Sequence, residues 1–460
     1  MEKRVKAEDY ASQLPQHLLH HILSFLSIKQ IIQTSVLSKT WYQAWNTLHI
    51  LEFDFDDIFK QNRAKYMAIE STTNMNIQQL YSFVDQIWLT RRRQMISLKK
   101  FTVIMPWSYQ TPSMSAIDQW IGYALESHVK ELKVKPGDFL NNEPVKYMVP
   151  LSVFDSKWMQ VLCLYRSKLK LPFSGNVKLP CLKKITFEFV DLDDNFIREL
   201  LAGSPMLEDI YISAVSGIKE LHVSNLVKLG KIFLRFPDLE KLTIDGPNLE
   251  SITLHLRIEK HKWCNSVNLG VSCKYLSISS PISDKWLNEQ LKRLPHLENL
   301  ELYFCPKLER IEISNPLVSK LFINRCDKLS IVQIDAPCLR YFTYIGDIVS
   351  VLSSLNRITL SEVSLHINSK NMDITWYVRL IELLANLNTS FNVLKYVFRS
   401  WTGKWIVIPE EARKMVAPPL SYVKELNLKL SGGEAVPMAQ LEDAMSWIAP
   451  HAQSLIYTYQ

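Results

Sequence analysis

From Leu294 to Tyr344 the chain reads LPHLENLELYFCPKLERIEISNPLVSKLFINRCDKLSIVQIDAPCLRYFTY, and one phrase recurs through it. Pro or Cys is followed, two residues later, by a short run of alternating apolar residues, and the phrase returns every ten or eleven residues. Cys305 and Cys326 stand 21 apart, each just after a strand-like run, LELYF or LFIN. A repeat of this kind constrains the fold strongly, because no single copy can enclose its own apolar face and only stacking of neighbours makes a continuous core. The spacing therefore predicts coils of about 21 residues, with one strand on the inner face and a second segment, LERIEI or LSIVQI, crossing the outer face. Period-two alternation turns Leu300 and Leu302, or Leu321 and Ile323, toward the core.

Other copies are less regular. VKELKV, near residue 132, is the first clear one. LPCLKKITF (179–187) precedes a helical DDNFIRELLAG and then SPMLEDIYI (204–212), and a helix returns at DKWLNEQLKRL. Between them lie IKELHV, LGKIFL, FPDLEKLTI, PNLESITL and CKYLSI. The expected fold is an α/β solenoid in which parallel strands near residues 132, 185, 210, 242, 276, 300, 321 and 426 follow one another in that order. ITWYVRLIELLANL and the stretch from Met438 to Trp447 read as helices, FNVLKYVFRSW, SYVKELNLKL and SLIYTY as strands, and SGGEAVPMAQ as a linker.

The first residues differ in kind. Leu14 to Trp45 reads LPQHLLHHILSFLSIKQIIQTSVLSKTWYQAW. A helix is predicted from about Pro15, whose missing N–H costs nothing in a first turn. Leu18, Ile22 and Leu26 make one apolar row on it, while Leu19 and Leu23 make a second, roughly 100° around the axis. After Ser27 come Ile28, Ile31, Ile32, Val36 and Leu37, then Trp41 and Trp45 one helical turn apart. So short a segment cannot cover that much apolar surface alone. One side must face a partner or the rest of the chain.

The order of LP, LLHHILSFL, TSVLSK and WYQAW resembles the F-box that opens plant F-box proteins with leucine-rich repeats. Cys305 and Cys326 stand where such repeats place Asn or Cys, and the C-terminal stretch also resembles this family. The resemblance implies docking on the Skp-type adaptor of a cullin-based ubiquitin ligase, with a target protein held on the repeats. The positions carried over, as adaptor-facing or as F-box core, are Leu14, Pro15, Leu18, Leu19, Ile22, Leu23, Leu26, Val36, Leu37, Ser38, Trp41 and Trp45. Thr40 and Tyr42 depart from the family, where basic residues are common. The implied layout is an F-box over residues 1–50, a connecting and capping region over 51–128, repeats over 129–398 and a last repeat with its cap over 399–460. Two other functions fit the same resemblance: a repeat scaffold not coupled to ubiquitination, and a receptor whose target surface a small ligand completes.

Chemistry is missing from the sequence. With 12 glycines there is neither GxGxxG nor GxxxxGK[ST], and no GxSxG elbow or HExxH helix occurs. The expectation is a non-catalytic subunit without cofactor or metal. His17 and His21 lie at i, i+4 but lack further ligands nearby. The acids Asp54, Asp56 and Asp57 read as a charged loop beside a strand, and Asp193 with Asp194 as complements to a helix dipole. Seven cysteines without a CxxC pair argue against a disulfide framework. No stretch reaches 18 apolar residues and the first ten residues carry no apolar h-region, so neither membrane insertion nor export is expected, and the location is the cytoplasm or nucleus. Net charge is +7, and its densest cluster, Arg91, Arg92 and Arg93, reads as the solvated end of an amphipathic helix running from about Arg63 to Met95. A second helix is expected from Ser115, as N-cap, to Ser127. No nucleic-acid partner is expected.

Overall fold

The computed structural model describes residues 14–55, 70–94, 96–105, 114–136, 146–170, 177–236, 239–256, 267–347, 351–353, 360–367, 372–387, 395–400, 404–430 and 436–459. It divides into two compact units, Met1–Ile218 and Lys219–Gln460.

The first unit opens with three short helices, α1 (Gln16–Leu23), α2 (Ile28–Ser35) and α3 (Lys39–Asn46). Then follow β1 (Ile50–Asp54), α4 (Glu70–Arg93), β2 (Lys100–Ile104), α5 (Met114–Glu126) and β3 (Glu131–Lys135). The unit continues with β4 (Tyr147–Met148), β5 (Val161–Tyr165), β6 (Ser167–Lys168), β7 (Lys184–Glu188), α6 (Asp194–Ala202) and β8 (Asp209–Ser213). Strands β1, β2, β3, β5, β7 and β8 pair in that order, all parallel, and β4 pairs with β6. Register aligns Leu51, Phe101, Leu132, Leu162, Ile185 and Ile210 as one apolar ladder. Two residues on, Phe53, Val103, Val134, Leu164, Phe187 and Ile212 make another, and all twelve side chains are buried. Helices α4 and α5 add aromatic packing: the Trp88 ring meets Phe101 at 5.3 Å, Trp120 meets Tyr81 at 5.4 Å, and Trp120 donates to Asp85 Oδ1 at 2.8 Å.

The second unit holds β9 (Glu220–Val223), β10 (Lys231–Phe236), β11 (Lys241–Asp245), β12 (Ser251–Leu256), β13 (Val267–Asn268), β14 (Tyr275–Ser279) and α7 (Asp284–Lys292). Next come β15 (Asn299–Tyr303), β16 (Arg310–Ser314), β17 (Lys320–Asn324), β18 (Ile331–Asp335), β19 (Tyr341–Gly346), β20 (Val351–Ser353) and β21 (Glu362–Ile367). It closes with α8 (Ile374–Leu387), β22 (Lys395–Ser400), α9 (Glu410–Met415), β23 (Glu425–Leu430), α10 (Met438–Ile448) and β24 (Ser454–Tyr459). The main parallel sheet runs β10-β12-β14-β15-β17-β19-β21-β22-β23-β24, and two smaller parallel sheets, β9-β11-β13 and β16-β18-β20, form the second wall of the coils. Leu300 faces Leu321 and Leu321 faces Phe342, a coil of 21 residues, and all three are buried. A fully buried Leu or Ile contributes roughly 1.5 to 3 kcal/mol, so each coil adds a few such increments only because its neighbours cover it.

Most expected strands take their predicted places, with one correction. Residues near 132, 185 and 210 lie on β3, β7 and β8, and those near 276, 300, 321 and 426 on β14, β15, β17 and β23 of the main sheets. Leu242 does not: β11 pairs with β9 and β13 on the other wall. Both walls bury one side of each strand in the same core, so KLTID and KLFIN show the same alternation and the phrase cannot tell one wall from the other. Parallel pairing also begins before VKELKV, at β1 and β2, and VLCLY forms a main-sheet strand that the repeat phrase did not mark. Helix α5 starts at Met114, which places Ser115 inside it. Residues 63–69, Asp56, Asp57 and residues 431–435 of the linker lie outside the described residues.

Five of the main-sheet strand ends turn without glycine. Arg166, Phe189 and Ala214, one residue past β5, β7 and β8, have φ of 48, 56 and 52°, and Phe304 and Arg325, one past β15 and β17, have 46 and 49°. A left-handed residue costs on the order of 1 to 2 kcal/mol. In return the parallel ladder gains a rung: Arg166 N–H donates to Glu188 O at 2.9 Å, and Arg325 N–H to Ile345 O at 2.7 Å. The side chains also stack between coils, Arg166 over Phe189 at 5.2 Å and Arg325 over Phe304 at 5.6 Å.

Candidate protein-docking site

The helical module separates its apolar residues into two sets. In α1, Pro15 is the N-cap and its carbonyl accepts from Leu18 N–H at 2.9 Å. The helix ends at Leu23, so Leu26 lies in the following turn, half-buried, and not on the row with Leu18 and Ile22. Leu19 and Leu23 are 1% and 0% exposed, whereas Leu18 and Ile22 are 40% and 37% exposed. The two predicted rows are therefore one core row and one outward row. Ser27 and Gln30 form a capping box that starts α2, with Ser27 N–H donating to Gln30 Oε1 at 2.9 Å. Ile28 and Ile31 are buried, while Val36 and Leu37, at the α2–α3 corner, are 81% and 72% exposed. Ser38 caps α3, accepting from Trp41 N–H at 3.3 Å, which accounts for this serine structurally. Trp41, Ala44 and Trp45 are buried.

Of the twelve carried-over positions, Pro15, Leu18, Ile22, Val36 and Leu37 face outward, Leu14, Leu26 and Ser38 are half-buried, and Leu19, Leu23, Trp41 and Trp45 are core. Phe25, 75% exposed and against the His21 ring at 4.9 Å, belongs with the outward set and was missed, because a turn residue falls outside helical periodicity. Tyr42 is also half-exposed and adds aromatic surface where the family's basic residue is absent. His17 and His21 are both exposed, and among the described residues no three metal-ligating side chains gather.

The module is tied to the first unit by a residue whose role the sequence reading misassigned. Arg91 is not solvated: it is 4% exposed, and its guanidinium donates to Leu48 O at 2.5 Å and Trp45 O at 2.7 Å while lying 5.1 Å from the Trp45 ring. A positive charge at Trp45 O in the last turn of α3, and at Leu48 O just beyond it, complements the negative end of the helix dipole. Burial lowers the Arg91 pKa to about 10, still well charged at neutral pH. Arg92, by contrast, is exposed and pairs with Glu126 at 3.2 Å. Beside this anchor His20 Nε2 meets Thr47 Oγ1 at 3.0 Å, and its pKa is lowered, chiefly by burial and then by His49 and Arg91.

Comparison with known proteins bears on this geometry. Residues 11–53 match the F-box domain, and residues 117–279 match the model described as FBD-associated F-box protein At5g56370, LRR repeats. The chain thus carries an F-box domain followed by leucine-rich repeats, the arrangement found in plant F-box/LRR-repeat proteins. Among its relatives in Arabidopsis thaliana, F-box/FBD/LRR-repeat protein At4g26340 is 27% identical over 54% of the chain and 54% of its own length. The putative F-box/LRR-repeat protein At4g00320 is 24% identical over 85% of the chain and 73% of that protein, and F-box/LRR-repeat protein At3g26922 is 26% identical over 52% and 68%. The first of these matches thus spans about half the relative's length. A chain of the mouse RP105/MD-1 complex resembles the structure at a TM-score of 0.28 and 16% identity, covering 78% of this chain and 67% of that one. The three helices α1 to α3 are accordingly the F-box, and the parallel coils are the leucine-rich repeats.

Proposed function

We propose that this F-box protein is the target-recruiting subunit of a ubiquitin ligase built on a Skp-type adaptor and a cullin, contributing proximity and no bond-making group. The observation that supports it is the outward set Leu18, Ile22, Phe25, Val36 and Leu37 on a module whose own core is already filled by Leu19, Leu23, Ile28, Ile31, Trp41 and Trp45. Exposed apolar side chains this large and this close in sequence mark a protein-binding face rather than spare core. The residues facing a partner are then Pro15, Leu18, Ile22, Phe25, Val36 and Leu37, with Leu14, Leu26 and Tyr42 at the edge. Leu19, Leu23, Trp41 and Trp45 act through the fold of the module. The repeats hold the target in the cytoplasm or nucleus.

Copurification of the full chain with the adaptor and cullin tests this. Ile22→Ser with Phe25→Ser should cut adaptor recovery by about tenfold or more, the loss expected when central apolar anchors are removed, while the unfolding midpoint stays in place. Undiminished recovery with these variants would refute the assignment. A repeat scaffold outside any ligase predicts no adaptor at all.

A further inference from the structure

In the second unit, the side of the main sheet opposite its apolar ladders becomes cationic toward the last strands. Asn324, Ile345 and His366 are successive partners across β17, β19 and β21, and Arg399 pairs with Lys429 across β22 and β23. Because Leu365 faces Phe398, the next residues bring His366 beside Arg399. Arg325, fixed by its left-handed backbone and its stack on Phe304, stands at the β17 end of the row. The charges lie close enough to feel one another: the His366 pKa is lowered first by burial, then by Arg399 and Arg325.

Three features of this face point to one kind of occupant. Arg325, Arg399 and Lys429 make no ion pair among the described residues, whereas at the opposite end of the same strands Lys395 is matched by Glu425 at 3.9 Å. Just past the ends of β17 and β19 stand Asp327 and Asp347, of which Asp347 already accepts from Trp376 Nε1 at 3.2 Å, while Glu425, four residues before Lys429, is the acid that pairs with Lys395. Asn324 Oδ1 and Asn427 Oδ1 are buried without a hydrogen-bond partner among the described residues. Buried amides left unpaired are costly, so each carries a standing capacity for a donor.

We propose that this face binds an acidic segment of a partner polypeptide in extended form, with carboxylates on Arg325, Arg399 and Lys429 and backbone N–H groups on Asn324 and Asn427. Five strands at about 4.8 Å spacing span roughly 19 Å, the length of about six extended residues. The inference rests on the repeats being the target-holding part of the chain, and it names the chemistry of the target.

The test uses the full-length chain and two fluorescein-labelled peptides, hexaglutamate and hexaglutamine, read by anisotropy. Hexaglutamate should bind saturably and weaken as salt rises from about 0.05 M to about 0.5 M, where screening shortens the reach of charge. Hexaglutamine should not bind. Arg399→Glu with Lys429→Glu should weaken hexaglutamate about tenfold or more, since reversing charges opposed to a ligand is strongly penalised. The milder Arg399→Gln with Lys429→Gln should weaken it less, and an unchanged unfolding midpoint in that variant separates lost charge from lost fold. Lys285→Glu, exposed on α7, should change nothing. Absent saturation, binding indifferent to the Arg399 and Lys429 variants, or equal weakening by Lys285→Glu would overturn the proposal. Adaptor recovery measured on the same samples reports on the F-box separately, so loss of the ligase reading and loss of the acidic-segment reading are distinguishable.

Discussion

The F-box and the coils of the second unit spend similar residues in opposite ways. In the coil around Leu321, the neighbours Leu300 and Phe342 cover it on both sides, and the inward strand residues Leu321 and Ile323 are 1% and 0% exposed. In the F-box, alternate apolar residues of one short helix divide between 0 to 1% and 37 to 40% exposure. A repeat can bury the inward residues of its strands because each copy is followed by another, whereas a single helical module has no next copy and leaves its second face for a partner. Apolar density alone therefore does not say whether a residue holds the fold or binds.

Substitutions sharpen that contrast. Leu321→Ala, in the middle of the array, should cost about 2 to 5 kcal/mol, the usual loss for a buried leucine, and lower the urea midpoint of the second unit. Arg91→Met should cost about 3 kcal/mol, since hydrogen bonds to a charged group are worth roughly 1.5 to 3 kcal/mol each and two would be lost, although Trp45 O keeps the Leu48 N–H. Limited proteolysis should then cut within the F-box first; equal protection of Arg91→Met and the parent would show that the anchor is dispensable. Ser38→Ala should cost about 1 kcal/mol through loss of a helix cap and should reduce adaptor recovery only in proportion to stability. Val36→Ser and Leu37→Ser, on the exposed corner, should move stability by less than about 0.5 kcal/mol while weakening adaptor recovery. If they destabilise the chain as Leu321→Ala does, the outward set is core and the comparison fails.

The smallest effect is a pH dependence. The His20 pKa is depressed in the fold by burial, then by His49 and Arg91. Its contribution is therefore present above the ordinary histidine value of about 6.5 and is lost as pH falls through the lower folded value. His20→Gln keeps a donor for Thr47 and should flatten the acid side of the F-box unfolding profile. An unaltered profile would assign the acid sensitivity to other groups.

The sequence by itself determined a good deal. The recurring apolar phrase gave the 21-residue coils and the inward direction of Leu300, Leu302, Leu321 and Ile323, all buried, because side-chain alternation is a local property of an extended strand. Ser27 and Ser38 mark helix starts that also depend only on residues three positions on. Even the two rows of α1 were legible as rows. What tertiary structure alone decided was which row faces in, which wall of the coil a strand joins, and whether a charge is solvated. Leu242 went to the second wall and Arg91 to the interior, although neither departs from the local pattern of its neighbours. Local spacing fixes the angle of a side chain about its own axis; burial depends on what other segments, distant in sequence, bring against it.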